Sequence, residues 1–313
     1  MKKQATRDAY GLALVELGKA HDNVVVLDAD LSKSTKTAEF AKVFPERFFN
    51  AGIAEQNMMG MAAGMAASGK VVFASSFAIF ATGRAFEQVR NSIAYPHLNV
   101  KVCATHAGLT VGEDGGSHQA VEDVAVMRSL PNMTVVVPAD GVSVRKMVEE
   151  LYHREGPAYL RLGRPAVPVL YNEEDEIKIG KGNLLREGSD AAIIACGLMV
   201  AKALEAAELL AESGIQVAVA DMHTIKPLDN DLLIKLARQT GAVLTVEEHS
   251  IIGGLGGAVC ETLSEHFPVP VLRMGIADVF GQSGQPEQLL EHYNLTVEQI
   301  VQNIHKLLEK RSA

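Results

Sequence analysis

Short Val- and Ile-rich runs alternate with segments of helical period along nearly the whole chain, and this alternation limits the fold more than any other feature. The runs "NVVVLDAD" (23–30), "KVVFASS" (70–76), "NVKVCATH" (99–106), "MTVVVPAD" (133–140) and "PAYLRLGR" (157–164) are separated by helical patterns at 6–20, 54–68, 80–94, 119–130 and 141–154. Strands that are apolar on both faces and joined through helices form parallel sheets covered on each side. A second series runs from "DAAIIACG" (190–197) through "IQVAVADMHTIKP" (215–227) and "GAVLTVEEH" (241–249) to "VPVLRMGI" (269–276), with helical patterns at 198–213, 229–240 and 254–266. Between the two series, 165–189 carries prolines, an acidic cluster and turn residues, and reads as a linker with a small strand pair. The expected fold class is α/β: two doubly wound domains, 1–165 and 186–313, each with a mainly parallel sheet covered by helices, joined by a linker at 166–185.

Charge and cysteine usage narrow the function. The 313 residues carry 29 Lys and Arg against 38 Asp and Glu, a net −9, with no long basic run. That excludes a nucleic-acid surface and favours small anionic ligands held at local basic points. The three cysteines, Cys103, Cys196 and Cys260, lie singly in apolar runs, outside any CxxC pair. They read as reduced thiols in a reducing, cytoplasmic compartment, not as a disulfide framework or zinc site. The N-terminus, "MKKQATRDAYG", reads as a natural start leading into an amphipathic helix without a signal-peptide core, and no run is apolar and long enough to cross a membrane.

Three stretches carry candidate chemistry. In "FFNAGIAEQNMMGMAAGMAASG" (48–69), Glu55 opens a helix otherwise built from small and apolar residues. A helix start favours a carboxylate, so Glu55 is either a simple helix-start acid or a carboxylate poised to share a proton with a ligand. Gly60, Ala63, Gly64 and Ala67 share one helical face that lets another backbone approach, and Met58, Met61 and Met65 form a stripe that reads as core. The loop "THAGLTVGEDGGSHQ" (105–119) follows an apolar strand and carries His106, Asp114 and His118 among glycines. Such a loop suits sugar hydroxyls, an oxyanion or a metal, although the spacing matches no zinc pattern. Arg161 and Arg164 alternate along "YLRLGRP"; Arg164, at the strand end, is placed to reach a phosphate, and the alternative is a surface salt bridge. The glycine run 251–266 lacks GxGxxG spacing and reads as a tight strand-to-helix turn, not a dinucleotide site.

Taken together, "GIAEQNMMGMAAGMA", "SSFAIFATGRAFEQVRNS", "GEDGGSHQAVEDVAVMRSLPNMTVVVPAD" and "VEEHSIIGGLGGAV" resemble the C-terminal half of transketolase, a thiamine-diphosphate enzyme. The resemblance spans nearly the whole chain and implies a pyrimidine-binding domain followed by the transketolase C-terminal domain. It implies that Glu55 hydrogen-bonds ring nitrogen N1′ of the cofactor's aminopyrimidine, favouring the tautomer that removes the thiazolium C2 proton. For that, the glutamate must hold a proton near neutral pH, a state favoured by an apolar surround. By the same resemblance Phe77 stacks on the pyrimidine with Phe80 close by, and Asp30 lies near the cofactor. His118 stands beside the donor's reacting oxygens, Asp114 reads an aldose C2 hydroxyl, and His106, Arg164, Arg7 and Ser34 contact sugar phosphate.

Some positions depart from the family pattern. Gly83 stands where an aromatic beside the pyrimidine is common, "GGSHQ" replaces a Pro/Thr-containing loop, and the metal–diphosphate signature, GDG followed by Asn, is missing from the sequence. The resemblance therefore implies one subunit of a split enzyme. An N-terminal subunit would supply the diphosphate site and Mg, this chain would contribute no metal ligand, and a homodimer through the pyrimidine domain would complete a heterotetramer. The alternatives are a 1-deoxyxylulose-5-phosphate synthase-like half, a 2-oxo acid dehydrogenase β subunit and a non-catalytic scaffold subunit. The synthase typically shows Arg where His106 stands, and the β subunit usually lacks the GEDGGSHQ type of loop.

Overall fold

A computed structural model describes residues 2–312. Two mainly parallel sheets covered by helices give it two α/β units, the expected fold class. The larger sheet has seven strands in the order Thr224–Lys226, Thr134–Val136, Ala158–Arg161, Val100–Thr105, Val71–Phe77, Val24–Asp28, Phe48–Asn50; only the first is antiparallel to its neighbour. The five-stranded sheet runs Val271–Ile276, Val243–Ser250, Ala191–Ala195, Val217–Asp221, Asn183–Arg186, with the last antiparallel. Every residue of Val24–Asp28, Val71–Phe77 and Val100–Thr105 is buried, as strands covered on both faces require. Among the described residues, no helix is long and apolar enough to cross a membrane.

Local chemistry sets the helix boundaries. Gly141–His153 begins at a capping box, in which the Asp140 side chain accepts from the Ser143 N–H and the Ser143 hydroxyl accepts from the Asp140 N–H. Leu255–His266 begins where Glu247 accepts the Leu255 and Gly256 N–H groups, each at 2.7 Å. An internal carboxylate thus holds the helix start that a dinucleotide phosphate would need. Gly254 has to be glycine, because a Cβ there would lie 2.1 Å from Glu247 Oε2.

The structure corrects several expectations. The run 215–227 is two strands: Val217–Asp221 belongs to the smaller sheet, and Thr224–Lys226 crosses to the edge of the larger one. The helical pattern at 80–94 contains wider π-type turns at Phe80–Arg84 and Val89–Ala94, around a short α-turn at Phe86–Gln88. In Glu55–Ala67 the buried side is Met58, Met59, Ala62, Ala63 and Ala66; Met61 and Met65 are only half-buried. Gly60, Gly64 and Ala67 lie exposed. Cys103 and Cys196 are buried free thiols, whereas Cys260 is half-buried.

The segment read as a linker is held along its length, and its two short strands do not pair with each other. Ala166–Pro168 pairs antiparallel with Lys3–Ala5, and Asn183–Arg186 edges the smaller sheet. Asp140 Oδ2 accepts the Leu170 and Tyr171 N–H groups, and the Tyr171 hydroxyl donates to Asp221 at 2.8 Å. Asp221 is fully buried; that burial, with Asp140 nearby, pushes its carboxyl up to about 8, against the Tyr171 bond. A raised folded value means that the folded chain keeps a proton that the unfolded chain releases from about pH 4 upward. Asp221's contribution to stability is therefore present at low pH and lost as pH rises through about 8. Asp221→Asn, which cannot ionise, is expected to gain stability relative to the parent between pH 5 and 8 and to hold that gain above pH 8; paired thermal melts across this range check it.

Candidate functional site

The C-terminal ends of the central strands deliver the site. Val71–Phe77 ends on Phe77, and Val100–Thr105 leads into His106, which takes a left-handed backbone (φ 57°). The His106 ring stacks on Phe77 at 3.9 Å between centroids. Arg7 Nη1 lies 3.0 Å from His106 Nε2, and Thr105 Oγ1 lies 2.8 Å from Nδ1. Arginine can only donate, so Nε2 accepts and the Nδ1–H donates to Thr105. Burial, then Arg7 and Arg164, push the imidazole down to about 3, so it is neutral near pH 7. Arg7 also donates to the Ser34 carbonyl at 3.2 Å. Arg164 donates to the Val111 carbonyl and, at 3.2 Å, to Glu113.

Glu55 opens the helix Glu55–Ala67 and is 2% exposed. Arg84 Nη1 donates to both of its carboxylate oxygens, each at 3.0 Å, so the acid is not simply surrounded by apolar atoms as expected. The same guanidinium lies over the Phe80 ring, 4.5 Å from its centroid. Phe80 lies roughly parallel to Phe77 at 6.1 Å and meets His118 edge-on at 5.3 Å. A continuous set of contacts therefore runs Glu55–Arg84–Phe80–Phe77–His106–Arg7, with His118 branching from Phe80. Ile53, Ala54, Gln56 and Asn57 line an open cleft over Glu55 and Arg84.

The glycine-rich loop is fixed from the other domain. Glu248 accepts the Thr110 N–H at 2.7 Å and lies against Gly108, whose positive φ and lack of Cβ allow the approach. Burial pushes the Glu248 carboxyl up to about 7, against Arg161 and the Thr110 bond. Ser283 and Gln285 bond Glu113, and Gln119 donates to the Leu109 and Gln282 carbonyls. Beneath the loop, Arg161 Nε donates to Asp123 at 2.7 Å, and Nη2 donates to the Ala120 and Glu248 carbonyls. Tyr159 donates to the same Asp123 oxygen. Burial alone would raise the Asp123 carboxyl, but Arg161 and His249 hold it below the ordinary range.

The structure brings Glu55, Phe77, Phe80, His106, His118 and Arg7 into one contact network, with Arg164 beside the last. Phe77 is buried, and its stacking partner here is His106. Ser34 contributes its carbonyl to Arg7. Asp114 is exposed at the loop tip. Asp30 lies apart from the aromatic set, exposed and bonded to Asn50. Arg161 is not a surface residue: it forms a buried ion pair. Sequence reasoning missed Arg84 and Glu248. Arg84 was detectable, since it follows Phe80 by four residues and so shares its helical side.

Comparison with known proteins places the chain. Residues 2–169 match the transketolase pyrimidine-binding domain, and residues 180–300 match the transketolase C-terminal domain. A putative transketolase C-terminal section from Methanocaldococcus jannaschii is 52% identical over 307 residues, covering 97% of this chain and 96% of that protein. A 6-deoxy-6-sulfo-D-fructose transketolase subunit from Clostridium sp. is 44% identical, covering 98% and 95%. A solved split-gene transketolase, described as an inactive β4 tetramer, superposes with TM-score 0.91 at 56% identity, covering 98% of this chain and 99% of its own. With two α/β units that match both domain models, the chain belongs to the transketolase family.

Removing the Arg161 guanidinium leaves Asp123 buried with only Tyr159 as a neutral donor. Arg161→Ala is expected to cost about 3–5 kcal/mol of stability, measured by urea unfolding, because it leaves an uncompensated buried charge.

Proposed function

We propose that this chain is the C-terminal subunit of a split transketolase. It holds the aminopyrimidine of thiamine diphosphate, and an N-terminal subunit holds the diphosphate and Mg. Together they transfer a two-carbon ketol unit between sugar phosphates. The observation that carries the reading is Glu55, a nearly buried carboxylate at a helix start beside an aromatic wall and below an open cleft. These residues fit an aminopyrimidine: a carboxyl for a ring nitrogen and the partly exposed Phe80 side chain alongside. The cofactor, once bound, supplies carbanion stabilisation.

Each residue's part follows from its position. Glu55 holds or gives up a proton at Oε, with Arg84 donating to the carboxyl beside it. Phe77 and Phe80 exclude water from the ring side. His118, half-buried on the loop, moves a proton at the substrate oxygens. Asp114 reads an acceptor hydroxyl, and Asp30 faces the cofactor from the strand-end loop. Neutral His106 leaves the cationic Arg7 and Arg164 as the phosphate contacts, with the Ser34 segment alongside. The exposed small residues Gly60, Gly64 and Ala67 support self-association through the pyrimidine domain. A tetramer of paired subunits in a cytoplasmic setting completes the reading.

The reading distinguishes itself from its relatives by product. The reconstituted pair is expected to convert xylulose 5-phosphate with ribose 5-phosphate, and not pyruvate with glyceraldehyde 3-phosphate or with a lipoyl domain. In that pair Glu55→Gln is expected to lower turnover about 10²–10⁴-fold without disturbing subunit assembly. Coupled assay and size-exclusion chromatography check both, and full activity in the assembled variant contradicts the proposal.

A further inference from the structure

Among the described residues, His21, Glu149 and His153 bring one candidate metal-ligand atom each to within 4.8 Å of one another. None belongs to the site above. His153 ends the helix Gly141–His153, and Glu149 precedes it by one turn, with Oε1 3.0 Å from His153 Nε2. His21 comes from another element, as the residue closing the helix Thr6–Ala20. These two helices pack together, and Ala13, Leu17, Met147 and Leu151 on them are buried in one hydrophobic core. The cluster lies at the opposite end of the sheet from Glu55, because each helix runs back to the N-terminal end of the strand that follows it.

A Glu–His pair one turn apart is common on helices and by itself means little. Three further features set this one apart. The third ligand comes from a separate helix. The His21 ring is held against Tyr152, stacked at 3.9 Å, and the Tyr152 hydroxyl donates to Asn23. Both helices end at the cluster, at His21 and His153, with Arg47 donating to the Gly18 and His21 carbonyls of the first.

We propose that His21, Glu149 and His153 form a binding site for a zinc-class divalent cation that clamps the first helix to Gly141–His153. Two imidazoles and one carboxylate are a borderline N/O donor set suited to this class, with water taking the fourth position. Donors of a four-coordinate zinc lie about 3.3 Å apart at ligand distances near 2 Å. The Glu149–His153 pair is already at that spacing, and side-chain rotation brings in His21. His153 and Glu149 are 63% and 55% exposed, so both can turn without disturbing the core.

The test uses the full chain stripped of metal. Zn²⁺ is titrated by calorimetry, Co²⁺ by its visible absorption, and melting is followed with and without Zn²⁺. The expected result is one Zn²⁺ per chain, a Co²⁺ spectrum of four-coordinate type and a higher melting temperature with Zn²⁺. His153→Ala and Glu149→Gln should each weaken binding at least about tenfold and abolish the melting shift, while the metal-free melt stays at the parent value. Cys260→Ser should leave binding unchanged. Equal binding by the parent and His153→Ala, loss of binding in Cys260→Ser, or no Zn²⁺ uptake by the parent would each overturn the proposal.

Discussion

The guanidinium of Arg161 is the hub on which the arrangement depends. It is buried on the sheet of the first domain, paired with Asp123 and bonded to carbonyls at both Ala120 and Glu248. A buried charge persists only when its donors are engaged. Satisfying this one group therefore fixes the end of the glycine-rich loop at Ala120 and brings Glu248 of the second domain down onto the loop's beginning. Glu248 then holds Thr110, and Ser283 and Gln285 hold Glu113. The second domain thus acts as a splint for a loop whose glycines would otherwise leave it without a fixed shape. The crossing strand Thr224–Lys226, paired to the edge of the first sheet, ties the same two units from another side.

On that support the candidate site residues form one contact network. The stack of His106 on Phe77 and the contact of Phe80 with His118 give one stiff aromatic wall. Glu55 lies at its far end with Arg84 across it, and Arg7 and Arg164 lie at the other. The cleft over Glu55 is open.

Much of this was legible in the sequence, and the reasons for the rest are physical. Val24–Asp28, Val71–Phe77 and Val100–Thr105 were readable because a strand buried on both faces must be apolar throughout. The break after Asp221 was not, because a strand that changes sheets stays buried on both sides of the crossing and keeps the same apolar signature. The side chains near His106 could be named as candidates one by one, but not their pairings. That Arg7 engages His106, and that Phe77 packs on His106, depends on a helix start and two strand ends far apart in sequence. The pairing of Arg161 could not be read, because a lone arginine on an apolar strand does not reveal a partner such as Asp123, 38 residues away. Glu248 was invisible for the same reason, its role being set by the second domain's position over Gly108.

The central claim is that this chain grips one end of thiamine diphosphate and needs another polypeptide for the rest. Calorimetric titration of the cofactor with Mg²⁺ into this chain alone, the N-terminal subunit alone and their equimolar mixture tests it most directly. The account predicts tight uptake of one cofactor per pair in the mixture and none of comparable affinity in this chain alone. Equally tight uptake by the isolated chain would contradict it.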